Sequence, residues 1–338
     1  MTSRLGQAEA EATAAHHFGV KGNAKELGGE RTQNFQITDE SGASFTLKIS
    51  DPDEDVGLLS LENAALAHIE ERTTALAAPR VVPTLDGERS ARLQRGDLRH
   101  VRLFSFLAGM PLAHSAHRSP TQRRNLGVAV AALDMALQDF AHPLAAKRDL
   151  IWDVANIARV RPFLDLIDAE CRPLAEAMLD RFENLAALLI PSLPTQIVHS
   201  DINGQNILLD TQRPDEIAGI LDFGDLVMGP RIIDLAGAAL LQMEAGQDDL
   251  TPVADVLCAY HSKARLNELE IDLLADVMIA RCVINVTVTE ALAAKNPANR
   301  SYIMKNNPAS WSRLERFASL SRSQVQDQFH QMCKGPLS

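Results

Sequence analysis

Aromatic residues are scarce in this chain: Phe, Trp and Tyr make up 4% of its 338 residues. The core must therefore be filled mainly by Leu, Ala, Val and Ile. Cysteine is rare too. Cys171, Cys258, Cys282 and Cys333 are widely separated, and no C-x-x-C pair occurs. Neither a zinc site nor a dithiol redox motif is supported, and a reduced, cytoplasmic setting is the simplest expectation. Basic residues are outnumbered, 33 Lys and Arg against 44 Asp and Glu, for a net charge of -11. That balance argues against nucleic acid as the main partner, because phosphate backbones need clustered Lys and Arg. It fits a cationic partner and, more simply, solubility. No uncharged apolar run approaches the roughly 18–20 residues of a membrane span. The N-terminus shows no basic region followed by an apolar block, so no signal peptide is expected.

What is present is an ordinary globular composition, 46% hydrophobic and 23% charged, long enough for one large or two smaller domains. The Ala- and Glu-rich stretch 1–17 predicts a short helix. Phe35-Gln36-Ile37 and Phe45-Thr46-Leu47-Lys48-Ile49 alternate around the turn residues Asp39-Glu40-Ser41-Gly42, a hairpin pattern. Apolar residues near helical spacing predict a helix over 58–77, ended by Pro79 and Pro83. Strands are expected at 80–85 and 99–107. Beyond Gly109-Met110-Pro111 helices dominate. One runs through Leu126, Val130, Leu133, Leu137 and Phe140, and others are expected at 153–168, 171–190, 231–245, 251–265, 270–295 and 309–330. Two short strands, 206–209 and 219–222, interrupt them. The pattern predicts an α+β chain: a small antiparallel sheet with one helix over 1–105, then a larger, mainly helical part over 106–338.

One stretch concentrates chemistry. Ile197-Val198 leads into His199-Ser200-Asp201, Asn206 follows, and Ile220-Leu221 later delivers Asp222-Phe223-Gly224-Asp225. Phosphoryl transfer from a nucleotide needs these groups. One carboxylate must accept the proton of an attacking hydroxyl. Another carboxylate and an amide oxygen must hold the metal ions that neutralise the phosphates. HxDxxxxN followed by DFG is far more specific than either half alone.

These residues together resemble the aminoglycoside phosphotransferase/choline kinase group, over about residues 20–320. Leu133-Asp134-Met135-Ala136-Leu137-Gln138-Asp139-Phe140-Ala141-His142-Pro143 and Arg148-Asp149-Leu150-Ile151-Trp152-Asp153 resemble the hydroxylysine-kinase-like branch of that group. The resemblance implies a protein-kinase-like bilobal fold, with a nucleotide-binding lobe over 1–105 and a catalytic and substrate-binding lobe over 106–338. It implies that Asp201 orients and deprotonates the substrate hydroxyl, with positioning mattering more than basicity. Asn206 and Asp222 become metal ligands, and magnesium is the natural ion for oxygen donors plus phosphate.

Strand alternation places Lys48 on the face opposite Phe45, Leu47 and Ile49, from which it reaches nucleotide phosphates as a point charge. Glu62 is either its partner or a surface glutamate. Gly28 and Gly29 match the nucleotide-covering loop, although no full GxGxxG is present. Phe104 and Phe106 match the linker whose backbone hydrogen-bonds a purine, in ATP or GTP. His199 reads as a brace of the catalytic loop, and Asp234 as a helix-N-terminal carboxylate bracing the same loop. Asp225, Trp152 and Asp153 are candidate acceptor contacts, since an aromatic face with carboxylates suits an ammonium group. A turn Asp, a buried Trp and a helix cap are the competing readings. Ser200 stands where the family usually carries Gly, an exchange expected to need negative φ.

The implied function is a small-molecule kinase, using ATP or GTP with magnesium, that phosphorylates the hydroxyl of a small cationic amino alcohol. A hydroxylysine-like substrate comes first, with an aminoglycoside, homoserine, choline or ethanolamine as alternatives. A catalytically silent kinase-like binding domain is the rival of another class. Its usual signature, loss of the base, a metal ligand or the lysine, is missing. No Ala-Pro-Glu motif follows Asp222, which argues against a protein kinase.

Overall fold

The computed structural model describes residues 4–28, 32–73, 76–243 and 249–334. The chain divides into two units. One comprises Met1–Gly109 with Ala218–Gly224, and the other Met110–Ile217 with Asp225–Ser338.

The first unit is built on an antiparallel sheet. Helix α1 (Gln7–Phe18) precedes β1 (Gly22–Leu27), β2 (Gln33–Asp39) and β3 (Ser44–Ile49). Helix α2 (Val56–Arg72) follows, then β4 (Val81–Val82), β5 (Ala91–Arg95) and β6 (Asp97–Ser105). The strand order is β1-β2-β3-β6-β4, with β5 also pairing β6. The expected hairpin is β2–β3. Its turn closes because Asp39 Oδ1 accepts the backbone N–H groups of Ser41 and Ala43, both at 2.9 Å. Leu47 lies opposite Leu103, and Ile49 opposite Val101. With Phe35 and Ile37 they form the core shared with Ala10, Ala14 and Phe18 of α1. The same pleat turns Lys48 and its cross-strand neighbour Arg102 to the other face.

Helix α2 starts at the Asp55 cap, whose side chain accepts the Gly57 N–H at 2.8 Å. It stops at Arg72, short of the expected 77, because Thr73 is extended (φ -149, ψ 139). Leu76 is buried all the same, which is why it fits an apolar period without being helical. The strand expected at 80–85 is only the two residues of β4, and β5 escapes sequence reading because it offers a single large apolar residue. Residues 218–224 return to this unit. The Ile220 N–H donates to the Ala77 carbonyl at 3.0 Å. A Cβ on Gly219 would meet that same oxygen at 2.9 Å.

Along the rest of the chain come β7 (Met110–Pro111), α3 (Pro120–Leu137), a run of 3₁₀ turns over Val154–Leu166, and α4 (Arg172–Leu185). Then follow β8 (Thr195–Val198), β9 (Ile207–Leu209), β10 (Ile217–Ile220), β11 (Val227–Pro230) and α5 (Ile232–Leu240). Helices α6 (Thr251–Lys263), α7 (Glu268–Lys295), α8 (Arg300–Ile303), α9 (Asn307–Ser319) and α10 (Arg322–Lys334) complete the order.

Helix α7 is the axis of the second unit. Its 28 residues are buried on nearly every face, as expected of a helix that is apolar all round. Helices α4, α5, α9 and α10 and the 3₁₀ run pack on it. The helix expected at 153–168 is 3₁₀ because Pro162 supplies no N–H and crowds the preceding turn. The one expected at 309–330 is two helices, interrupted where Leu320 turns extended (φ -101, ψ 137). The second motif strand ends at Ile220, not at Asp222. Among the described residues no helix is long and apolar enough to cross a membrane.

Candidate active site

Strand β8, paired antiparallel with β11 through Val198 and Val227, delivers the catalytic-type loop of the second unit. His199 is fully buried. Its backbone N–H donates to Asp234 Oδ2, and that of Ser200 to Asp234 Oδ1, both at 2.7 Å. Asp234, in the first turn of α5, thus holds two successive amides of the loop, as expected of a brace. His199 Nδ1 accepts the Asp201 N–H at 3.2 Å, which commits the ring to shaping the loop. Helix α5 itself lies very close: a Cβ on Gly237 would come 2.5 Å from the Ile202 carbonyl oxygen.

Ser200 departs from expectation. Its φ is 68°, not negative, so it keeps the left-handed conformation that Gly adopts freely. For an L-residue this costs about 1–2 kcal/mol. The residue is held from both sides, its N–H by Asp234 and its carbonyl by Arg281 Nη1 at 2.9 Å. Arg281 lies on α7, 81 residues downstream, and no local motif marks it.

The two carboxylate oxygens of Asp201 are separately engaged. Oδ1 accepts Asn203 Nδ2 at 2.9 Å, and Oδ2 accepts Asn206 Nδ2 at 2.7 Å. The Asn206 amide nitrogen also donates to the Asp201 carbonyl at 3.0 Å. Its donor end is thereby spent on the loop, which leaves Oδ1 as the end suited to a cation. Burial raises the Asp201 carboxyl above the ordinary range. The Asn203 bond and the His199 and Arg281 charges pull it down, and the Asp225 charge pushes it up.

Asp225 remains 38% exposed at its side chain and is fixed by Arg148, whose Nη2 donates to its Oδ1 at 3.2 Å while Nη1 holds the Leu226 carbonyl at 3.0 Å. Arg148 stands inside a quoted motif, yet its partner lies 77 residues away. Trp152 is half-buried. Asp153 is buried and caps the 3₁₀ run, accepting the Ala155 N–H at 2.9 Å, the capping alternative of its two readings.

In the first unit Lys48 Nζ meets Glu62 Oε1 at 3.1 Å, and Arg102 Nη1 meets Glu62 Oε2 at 2.6 Å. Glu62 is therefore a buried, doubly paired carboxylate and not a surface one. Burial alone would raise its carboxyl, but the Lys48 and Arg102 charges outweigh that and hold it at about 2. The Phe104 ring lies 5.4 Å from Lys48 Nζ and 5.2 Å from the Arg102 guanidinium carbon, so its ring packs beside the ion pairs.

The backbone near Phe106 is partly spent. Ser105 N–H donates to Arg80 at 2.8 Å and Phe106 N–H to Ser44 at 3.1 Å. Leu107 carries the next amide, and it has no acceptor among the described residues. Gly28 is open, with nothing within 4 Å of a Cβ added there, and its carbonyl accepts Asn34 Nδ2 at 3.2 Å. Gly29 lies outside the described residues. Asp222 has φ 63°, and no hydrogen-bond donor reaches its carboxylate among the described residues. A Cβ on Gly224 would sit 3.2 Å from Asp222 Oδ1. Among the described residues no group of three or more His, Cys, Asp or Glu is arranged to hold a metal ion.

Comparison with known proteins adds three findings. A family model described as "Phosphotransferase enzyme family" matches residues 24–268. A hydroxylysine kinase of Danio rerio is 26% identical over 315 residues, spanning 88% of this chain and 87% of that protein. Two solved structures share the fold. A microcompartment-associated aminopropanol kinase has a TM-score of 0.71 at 18% identity, covering 92% of this chain and 97% of that one. An amicoumacin kinase in complex with AMP-PNP, Ca2+ and Ami has 0.66 at 14%, covering 97% of each. Both likenesses establish the kinase-like architecture expected from the motifs.

Proposed function

The chain belongs to the phosphotransferase enzyme family and is a small-molecule kinase, and from that premise we propose that it phosphorylates the hydroxyl of a hydroxylysine-like amino alcohol. The observation that carries the reading is the clasped Asp201 carboxylate, 2.7 Å from Asn206 Nδ2 on a loop braced by Asp234. An immobilised, partly desolvated carboxylate suits a hydroxyl held for attack. Asp201 accepts its proton as oxygen bonds to the terminal phosphorus and the bond to the leaving nucleoside diphosphate breaks. In this reading the first unit is the nucleotide-binding one. Lys48, oriented by Glu62, neutralises phosphate oxygens, and the segment around Gly28 and Gly29 covers them.

Asp222 and Asn206 offer a carboxylate and an amide oxygen, hard donors that suit magnesium completed by phosphate oxygens and water. Such an ion would neutralise charge on the phosphates. The amide of Leu107, next to Phe106, is the donor best placed in sequence to meet the purine of ATP or GTP. Asp225 receives the substrate's ammonium group, and Trp152 lines the same acceptor region. The hydroxylysine kinase relative supports the choice of acceptor. Four free cysteines support a reducing, cytoplasmic setting.

The test is nucleotide consumption with magnesium over a panel of 5-hydroxylysine, homoserine, aminopropanol, choline, ethanolamine and aminoglycosides. 5-Hydroxylysine is expected to give the highest kcat/KM. Asp201→Asn is expected to lower kcat by about 100–10,000-fold while nucleotide still binds. Stimulation by no member of the panel would sink the acceptor assignment.

A further inference from the structure

Three half-buried arginines of the second unit are each matched with a carboxylate. Arg123 meets Asp255 at 2.7 Å, Arg231 meets Glu270 at 2.7 Å, and Arg322 meets Asp276 at 2.8 Å. Arg281 is half-buried as well but is matched differently. Its Nη1 donates to the Ser200 carbonyl at 2.9 Å, and no carboxylate oxygen reaches it at ion-pair distance among the described residues. A guanidinium carries five N–H donors in a planar fork, so most of this one is uncommitted.

Its position is equally specific. The bond to Ser200 anchors it one residue from Asp201. Its charge acts on both Asp201 and Asp153, and Asp225 acts on Asp201 from its own place beside Arg148. The loop that carries Asp201 is thus held by an underused cation at Arg281 and feels the charge of an immobilised anion at Asp225. A guanidinium with free donors and no carboxylate partner disfavours a polycation. A planar fork with free donors suits a carboxylate.

We infer that Arg281 and Asp225 are opposite poles of a receptor for a zwitterionic acceptor, with Arg281 binding a carboxylate and Asp225 an ammonium group of an amino-acid alcohol. The inference rests on the proposed amino-alcohol kinase reading and narrows it. Acceptors bearing a carboxylate are selected over amino alcohols that lack one.

Two substrate pairs differ only by that group: 5-hydroxylysine with 1,5-diaminopentan-2-ol, and homoserine with 3-aminopropan-1-ol. The intact enzyme is expected to favour the carboxylate member of whichever pair it accepts by at least about tenfold in kcat/KM, the scale of a lost charge-assisted contact. Arg281→Gln, which keeps a donor for the Ser200 carbonyl, is expected to collapse that ratio, chiefly through KM. Asp225→Asn is expected to weaken both members alike and keep the ratio.

A wild-type ratio at or below one overturns the inference. So does an Arg281→Gln enzyme that is poorer with both members equally, because that is the behaviour of a loop brace alone. If that variant is inactive, Arg281→Lys decides. Retention of the carboxylate preference supports the inference, and equal loss with both members opposes it. Turnover with no member of either pair removes the amino-alcohol acceptor reading and this inference together, whereas turnover without discrimination removes the inference only.

Discussion

Asp201 combines two demands that pull against each other. It must be ionised to accept a proton, yet burial favours its neutral form. Its protonation on acidification therefore occurs above the value of about 3.9 for a free aspartate. The acid limb of kcat/KM against pH should lie correspondingly high. Asp225 contributes to the upward shift, so Asp225→Asn should move the limb to lower pH. A limb that stays in place would remove Asp225 from the electrostatics of the base.

Ser200 poses a separate question at the same scale. Ser200→Gly relieves about 1–2 kcal/mol of left-handed strain against about 0.5–1 kcal/mol of added unfolded-state freedom. A net gain of up to about 1.5 kcal/mol is expected in chemical denaturation, and none for Ser200→Ala. Asp201, Asn206, Asp222 and Lys48 could be named as candidates because their motifs are local. Arg281, Arg102 and Arg148 could not, because each is defined by a partner 40 or more residues away in sequence.

Between elements the decisive arrangement is the pair of cations across β3 and β6. Lys48 and Arg102 face each other in register, which alone would be repulsive. The Glu62 carboxylate, brought by α2, meets both. Glu62→Ala would leave Arg102, 2% exposed, without its counter-charge. A loss of about 3–5 kcal/mol in unfolding free energy is expected. The depressed carboxyl sets the pH window. Its contribution is full above the unfolded value of about 4.3 and fades as pH falls toward 2.

Elements with a sustained helical period were readable, as α3 and α7 show. Two-residue strands such as β4 and β7 are too short to carry any period. The 3₁₀ run looked helical because apolar spacing is silent about Pro162.

On the scale of the molecule, sequence order foretold a sheet-rich part followed by a helical one, and the folds of related kinases agree. It could not foretell that 218–224 rejoin the first unit, since that return is made by backbone contacts at Ala77 and its one sequence trace, Gly219, does not name the partner. Metal removal tests the roles proposed for Asp222 and Asn206. Excess EDTA should abolish turnover and the rise in Tm produced by nucleotide with magnesium. Full turnover in EDTA would exclude a divalent ion from the chemistry.

The split first unit also has a calendar. During synthesis its sheet emerges early, but the strand-end that pairs with Ala77 follows only after Met110–Ile217 has been made. At about 5–20 residues per second this is a delay of roughly 5–20 seconds. Through that interval the nascent sheet must wait with the Ala77 carbonyl lacking its Ile220 partner, and this is the window in which a chaperone would find it.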